Sequence, residues 1–144
     1  MKYQHLLVPV VTNDPDQRAL DAAFELAQQH GASTTLIYVI EAIDEAPDAP
    51  VDDDLKVFYA EVEQSVRGRL NEMSQRFEHA GLNVRCEIIV GHTAQTIVRY
   101  SAVESVDLIV MRSERIDLNR PETAMASLSH QVSVFCQCPV ILLK

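Results

Sequence analysis

Asp107-Leu-Ile-Val-Met111 and Val140-Ile-Leu-Leu143 are two short apolar runs that frame the last quarter of a 144-residue chain. Bounded runs of this length, rich in Val, Ile and Leu, read as strands covered on both faces. Between them the sequence turns abruptly into charge at Arg112-Ser-Glu-Arg115, continues as a polar loop, and then takes on helical character from Thr123 to Phe135. Cys138-Pro139 stops that helix, because proline cannot continue it. Strand, loop, helix, strand is one crossover unit, and two parallel strands need such a crossover to become neighbours.

The same alternation extends to the N-terminus. His5-Leu-Leu-Val-Pro-Val-Val11 reads as a first buried strand that ends in the polar turn Thr12-Asn-Asp-Pro-Asp16. Pro15 suits a first helical turn, with Asp14 as its N-cap. Leu20, Ala23, Phe24 and Ala27 then share one helical face, and Gly31 marks the stop. Thr34 to Ile40 is a second strand. A long helix is expected from Leu55 to Ala80, carrying Phe58, Val62, Val66, Leu70 and Phe77 at helical spacing and ending at Gly81. Val84 to Val90 is a third strand, and Gly91-His-Thr93 leads into a helix with Ala94, Ile97, Val98 and Ser101 facing inward. This βα alternation predicts one domain over residues 1–144, an α/β layered fold with a mostly parallel sheet and right-handed crossovers.

Composition narrows the function classes. The net charge is −9, with 21 acids against 12 Lys plus Arg, which argues against general binding to nucleic acid or anionic membrane. The segment Glu41 to Asp54 holds seven acids and no Lys or Arg, so the remainder carries only −2. It reads as a solvated loop, with a docking site for a basic partner or cation as the sharper reading. No apolar run approaches the length of about 20 residues that spans a bilayer, and the N-terminus has no signal-peptide pattern. The expectation is a cytoplasmic protein. Three cysteines, Cys86, Cys136 and Cys138, fit a reducing compartment.

Five pieces of sequence, in register, resemble the universal stress protein family. They are the Leu-Leu-Val-Pro-Val start, Tyr38-Val-Ile40, Gly91-His-Thr-Ala94, Asp107-Leu-Ile-Val-Met111 and Cys138-Pro-Val140. The resemblance implies a Rossmann-like, doubly wound sheet of five strands in the order 3-2-1-4-5 with four helices, of the adenine nucleotide alpha hydrolase type. It also implies a ligand crevice at the carboxyl ends of strands 1 and 4, and homodimers paired through the final strand, Val140, Ile141, Leu142 and Leu143. In nucleotide-binding members the loop after strand 4 reads G-x-x-G-x9-G-[ST], and an aspartate ends strand 1.

Here that pattern is broken. The aspartate position is Val11, the first two glycine positions are Arg112 and Arg115, and the third is Ala126. Only the hydroxyl survives, as Ser127. Pro9 and Val39 match positions near the base, and Thr12, Asn13 and Met111 complete the candidate pocket. Arginine at glycine positions puts long side chains where phosphate would meet backbone, and an isopropyl group cannot accept a hydrogen bond from ribose. The expectation is therefore a non-enzymatic stress-response homodimer without cofactor that has lost ATP binding. The alternative is a switch that binds ATP, AMP or another anion through Arg112, Arg115 and Ser127, since arginine and a helix N-terminus both suit anions.

Other motifs carry less. Cys136-Gln-Cys138 with His130 lacks the second ligand pair of a zinc site, so no metal is expected. His92, beside the carboxyl edge of the sheet, is the one histidine placed to meet a ligand. No nucleophile elbow, Walker loop or G-x-G-x-x-G is present, and strand 3 lacks the terminal aspartate of a phospho-receiver. No general base stands beside the pocket, so catalysis is not expected.

Overall fold

A computed structural model describes residues 2–11, 17–43, 53–113, 118–120, 122 and 127–144. Among the described residues five strands alternate with four helices: β1 (His5–Pro9), α1 (Arg18–His30), β2 (Ser33–Glu41), α2 (Asp53–His79), β3 (Val84–Gly91), α3 (Thr93–Val103), β4 (Leu108–Arg112), α4 (Leu128–Phe135) and β5 (Val140–Leu143). The strands form one sheet in the order β3-β2-β1-β4-β5, and every neighbouring pair is parallel. The expected order 3-2-1-4-5 is the observed one.

Period-2 alternation distributes the strand side chains between two cores. Leu6, Val8, Leu36, Leu108 and Val110 face α1 and α2, where Leu20, Ala23, Leu70 and Phe77 meet them. Leu7, Ile37, Ile109 and Met111 face α3 and α4, where they meet Ile97 and Val132. Burial on both faces is what makes these strands continuous apolar runs. On the first face Phe77 is fully buried and meets Phe24 edge-on, with ring centroids 5.4 Å apart. The Arg76 guanidinium lies 4.4 Å from the Phe24 ring centroid and reaches Asp21 at 2.6 Å.

The amino edge of the sheet is tied by side chains. The Asp107 carboxylate accepts from the backbone N–H groups of Gln4 (2.8 Å) and His5 (3.0 Å), joining the starts of β1 and β4. His5 spans further. Its Nδ1 lies 3.1 Å from the Glu104 carbonyl, which can only accept, so Nδ1 carries the proton. Its Nε2 then accepts from the Thr35 hydroxyl at 2.8 Å.

Two helix starts differ from the sequence expectation. α1 begins at Arg18 rather than Pro15, with Gln17 in the N-cap position and no side-chain cap hydrogen bond. The expected cap Asp14 lies outside the described residues, as do Thr12, Asn13, Pro15 and Asp16. α4 begins at Leu128 rather than Thr123, because Ser127 takes the extended N-cap conformation (φ −68°, ψ 149°) and its Oγ accepts from the His130 N–H at 3.2 Å. At the other end of α1, Gly31 adopts φ 65°, the left-handed conformation expected of a C-terminal glycine stop.

Candidate functional site: the crevice between β1 and β4

The site arises from a parting of strands. β1 and β4 pair at only two positions, Leu6 with Leu108 and Leu7 with Ile109. Beyond them β1 stays with β2, through the Val10 N–H donating to the Ile37 carbonyl at 2.9 Å. β4 stays with β5, through the Ser113 N–H donating to the Leu143 carbonyl at 2.7 Å. The order reverses here, with successive connections leaving in opposite directions, which parts the strands at the carboxyl edge. A crevice of about 590 Å³ opens there.

Its walls come from both cores. Val8, Val10, Leu20, Tyr38 and Met73 line it from the side of α1 and α2, and Ile37, Val39, Ile97, Met111 and Leu128 from the side of α3 and α4. Pro9, Val11 and Ala19 line it as well, and its polar side chains are those of Gln17, Tyr38, Thr93, Arg112 and Ser113. The pocket is mostly apolar with a few convergent polar groups, the usual make-up of a small-molecule site.

Of the residues expected from the sequence, Pro9, Val11, Val39, Met111 and Arg112 come together in this crevice. Val11 is 61% exposed at the mouth and Met111 is 3% exposed within. Ser127 does not line it; its hydroxyl instead caps α4. Thr12, Asn13, Arg115 and Ala126 lie outside the described residues, as do residues 44–52 of the acidic segment. Sequence reasoning missed Thr93 and Gln17. Thr93 enters because Glu41, at the end of β2, accepts from its backbone N–H at 3.1 Å and from its hydroxyl. The Thr93 hydroxyl holds the Glu41 carboxyl below its ordinary range, and His92, 3.4 Å away, lowers it further. His92 thus faces Glu41 and does not line the crevice.

Gly91 before this corner has a steric reason. A Cβ there would stand 2.5 Å from the Thr96 Oγ1.

All three cysteines are free thiols. Cys136 Sγ donates to the Cys138 carbonyl at 3.3 Å. Burial, reinforced by neighbouring Cys136, pushes the Cys138 pKa up to about 11. Burial also raises that of Cys86. Among the described residues no group of three or more His, Cys, Asp and Glu could hold a metal ion. No helix among them is long and apolar enough to cross a membrane.

A sequence model of the universal stress protein family matches residues 2–144. The chain belongs to the universal stress protein family. It is 24% identical to the universal stress protein YxiE of Bacillus subtilis, with 99% of each chain covered. Among solved structures, UspA from Lactobacillus plantarum superposes with a TM-score of 0.72 at 27% identity, covering 100% of this chain and 99% of that one. A universal stress protein solved in complex with cAMP gives 0.73 at 18% identity, covering 100% and 98%. One from Archaeoglobus fulgidus in complex with dAMP gives 0.66 at 16%, with 100% of both chains covered. The universal stress protein fold is thus that of a Rossmann-like α/β sheet, and its strand-order reversal underlies the crevice described above.

Proposed function

We propose that this universal stress protein is a non-enzymatic, cytoplasmic stress-response regulator, one domain long, that works as a homodimer and no longer binds ATP. The observation that carries the loss of ATP is the composition of the crevice. Val11 stands where nucleotide-binding relatives have an aspartate, and the Arg112 side chain lines the space where a glycine would leave room for phosphate. Each hydrogen bond a buried ligand group fails to make costs about 1–3 kcal/mol, so losing several removes micromolar affinity. The described lining also carries no Asp, Glu, His, Cys or Lys that could act as a general base, which supports binding rather than chemistry.

The test is thermal unfolding with Mg-ATP, ADP and AMP. A ligand at a thousand times its Kd stabilises by about 4 kcal/mol. We expect no shift with millimolar nucleotide, and a shift of that size overturns the proposal.

Pairing of two protomers through β5 is supported by the nature of that edge. β5 pairs with β4 on one side only, and Ile141 remains 36% exposed. Val134 (59%) and Phe135 (69%), on the helix leading into β5, are exposed as well. An apolar strand edge left open invites uncontrolled association, and a defined dimer removes that hazard.

A second reading keeps an anion switch at Arg112 and Arg115, without the Ser127 hydroxyl that the sequence reading included, since that group caps α4. The relatives solved with cAMP and dAMP favour it, because a monophosphate asks less of the loop than a triphosphate. A nucleotide-induced shift that Arg112→Ala abolishes would establish this reading in place of the first.

A further inference from the structure

We propose that the first turns of α2 are a docking surface for a basic amphipathic helix of another protein, with Ile43, Val57 and Phe58 as the apolar contacts. This surface lies outside the crevice lining and is independent of what the crevice holds.

The length of α2 creates it. At 27 residues the helix is about 40 Å long, against about 26 Å for the eight residues of β3. The first residue of α2 buried in the core is Val66, about 20 Å along the helix, so the turns before it overhang the carboxyl edge of the sheet. The overhang is anchored. The Ile43 N–H, just beyond β2, donates to the Tyr59 hydroxyl at 2.9 Å. A surface held in place before a partner arrives loses less ordering entropy on binding.

What the overhang presents is apolar. Val57 is 57% exposed, Phe58 47%, and Ile43, beside Tyr59, 54%. The Phe58 ring leans on that of Tyr59, with centroids 5.9 Å apart. Turns of a helix that stand clear of the core are ordinarily polar, and grouped apolar side chains on them mark a contact surface.

Charge decides the partner. Residues three and four apart are neighbours on a helix surface. Asp53 precedes Val57 at that spacing, and Glu61 follows both Val57 and Phe58; both acids are exposed. Lys56, the one cation from Asp53 to Glu61, is too close in sequence to share a face with Val57 or Phe58. The sequence leading into these turns, Glu41 to Asp54, holds seven acids and no Lys or Arg. An apolar centre between carboxylates is complementary to a helix whose apolar stripe is bordered by Lys or Arg. The same field repels nucleic acid and anionic membrane.

Fluorescence anisotropy tests this with a labelled Leu/Lys peptide of about 14 residues whose leucines fall at helical spacing. The comparators are a Leu/Glu peptide of the same pattern and a Leu/Lys peptide of the same composition with alternating leucines. We expect saturable binding of one helical Leu/Lys peptide per chain, about tenfold weaker binding of the alternating one, and none of the Leu/Glu peptide. Val57→Ser combined with Phe58→Ser leaves the charge unchanged and should weaken binding about tenfold. Glu61→Gln should weaken it about threefold at low salt, a difference that added salt removes. Val103→Ser, at an exposed valine on α3, should change nothing. All these positions are exposed, and circular dichroism checks that each variant keeps the fold.

No binding of the helical Leu/Lys peptide overturns the proposal. Binding that survives Val57→Ser with Phe58→Ser marks adsorption to an acidic chain and overturns it too. Equal binding of the alternating or the Leu/Glu peptide shows that helical pattern or charge plays no part, with the same consequence. A lower sedimentation mass for that double variant assigns the surface to a second copy of this chain instead of a basic partner.

Discussion

The Glu41 carboxylate accepts from both the backbone N–H and the hydroxyl of Thr93, across 52 residues of sequence. It therefore does from a neighbouring strand what an N-cap side chain does for its own helix, satisfying a free N–H at the start of α3 and placing a negative charge at the positive end of the dipole.

The folded-state pKa of Glu41 is lowered from 4.5 by these contacts. A lowered carboxyl stabilises the fold above its unfolded value, and that contribution is lost as pH falls through the folded value. Glu41→Gln should therefore lower the denaturation midpoint at pH 7 and flatten the acid side of the stability curve below about pH 4.5. Because the side chain is largely exposed, the loss at neutral pH should be modest, about 0.5–1 kcal/mol. Urea titrations between pH 3 and 7 measure both.

Phe77 fills the space between α2 and the sheet and stacks edge-on with Phe24. Phe77→Ala should cost about 3–5 kcal/mol, read as a lower urea midpoint at an unchanged slope. Arg76→Ala, which removes only an exposed ion pair and a cation over a ring, should cost about 1 kcal/mol or less.

Cys138 should resist alkylation at neutral pH, because its pKa is pushed up to about 11 and the thiolate is the reactive form. The rate of iodoacetamide labelling, followed by mass spectrometry of the Cys138 peptide, should climb steeply only on the way to pH 11. The same raised value favours the fold below the unfolded thiol pKa of 9.0 and ceases to do so as pH rises through about 11.

Ile141→Asp places a charge on the open edge of β5. Sedimentation equilibrium should show the wild type as a dimer and this variant as a monomer at tens of micromolar, with the far-UV spectrum retained. Wild type and variant sedimenting alike would remove β5 from the interface.

Most of the sheet was legible because its strands are buried on two faces, and such burial writes unbroken apolar runs such as Leu108–Met111 into the sequence. Gly31 and Gly81, both with positive φ, mark the ends of α1 and α2 as read. Helix starts were less legible. The Asp14-Pro15 signal is local, yet α1 begins at Arg18, and the Ser127 cap that starts α4 at Leu128 was not read from the sequence. Val11, Met111 and Arg112 could be assigned to one crevice because they lie at the carboxyl ends of β1 and β4, once the family resemblance supplied the strand order, and Val39 came from that resemblance alone. Thr93 could not, since its place depends on Glu41, and no local period couples residues so far apart in sequence.

The two-residue pairing of β1 with β4 has a broader meaning. Main-chain geometry alone makes the socket, so its furnishing can be exchanged while the frame stands. The same scaffold recurs in chains that share about a quarter of their residues or fewer with this one.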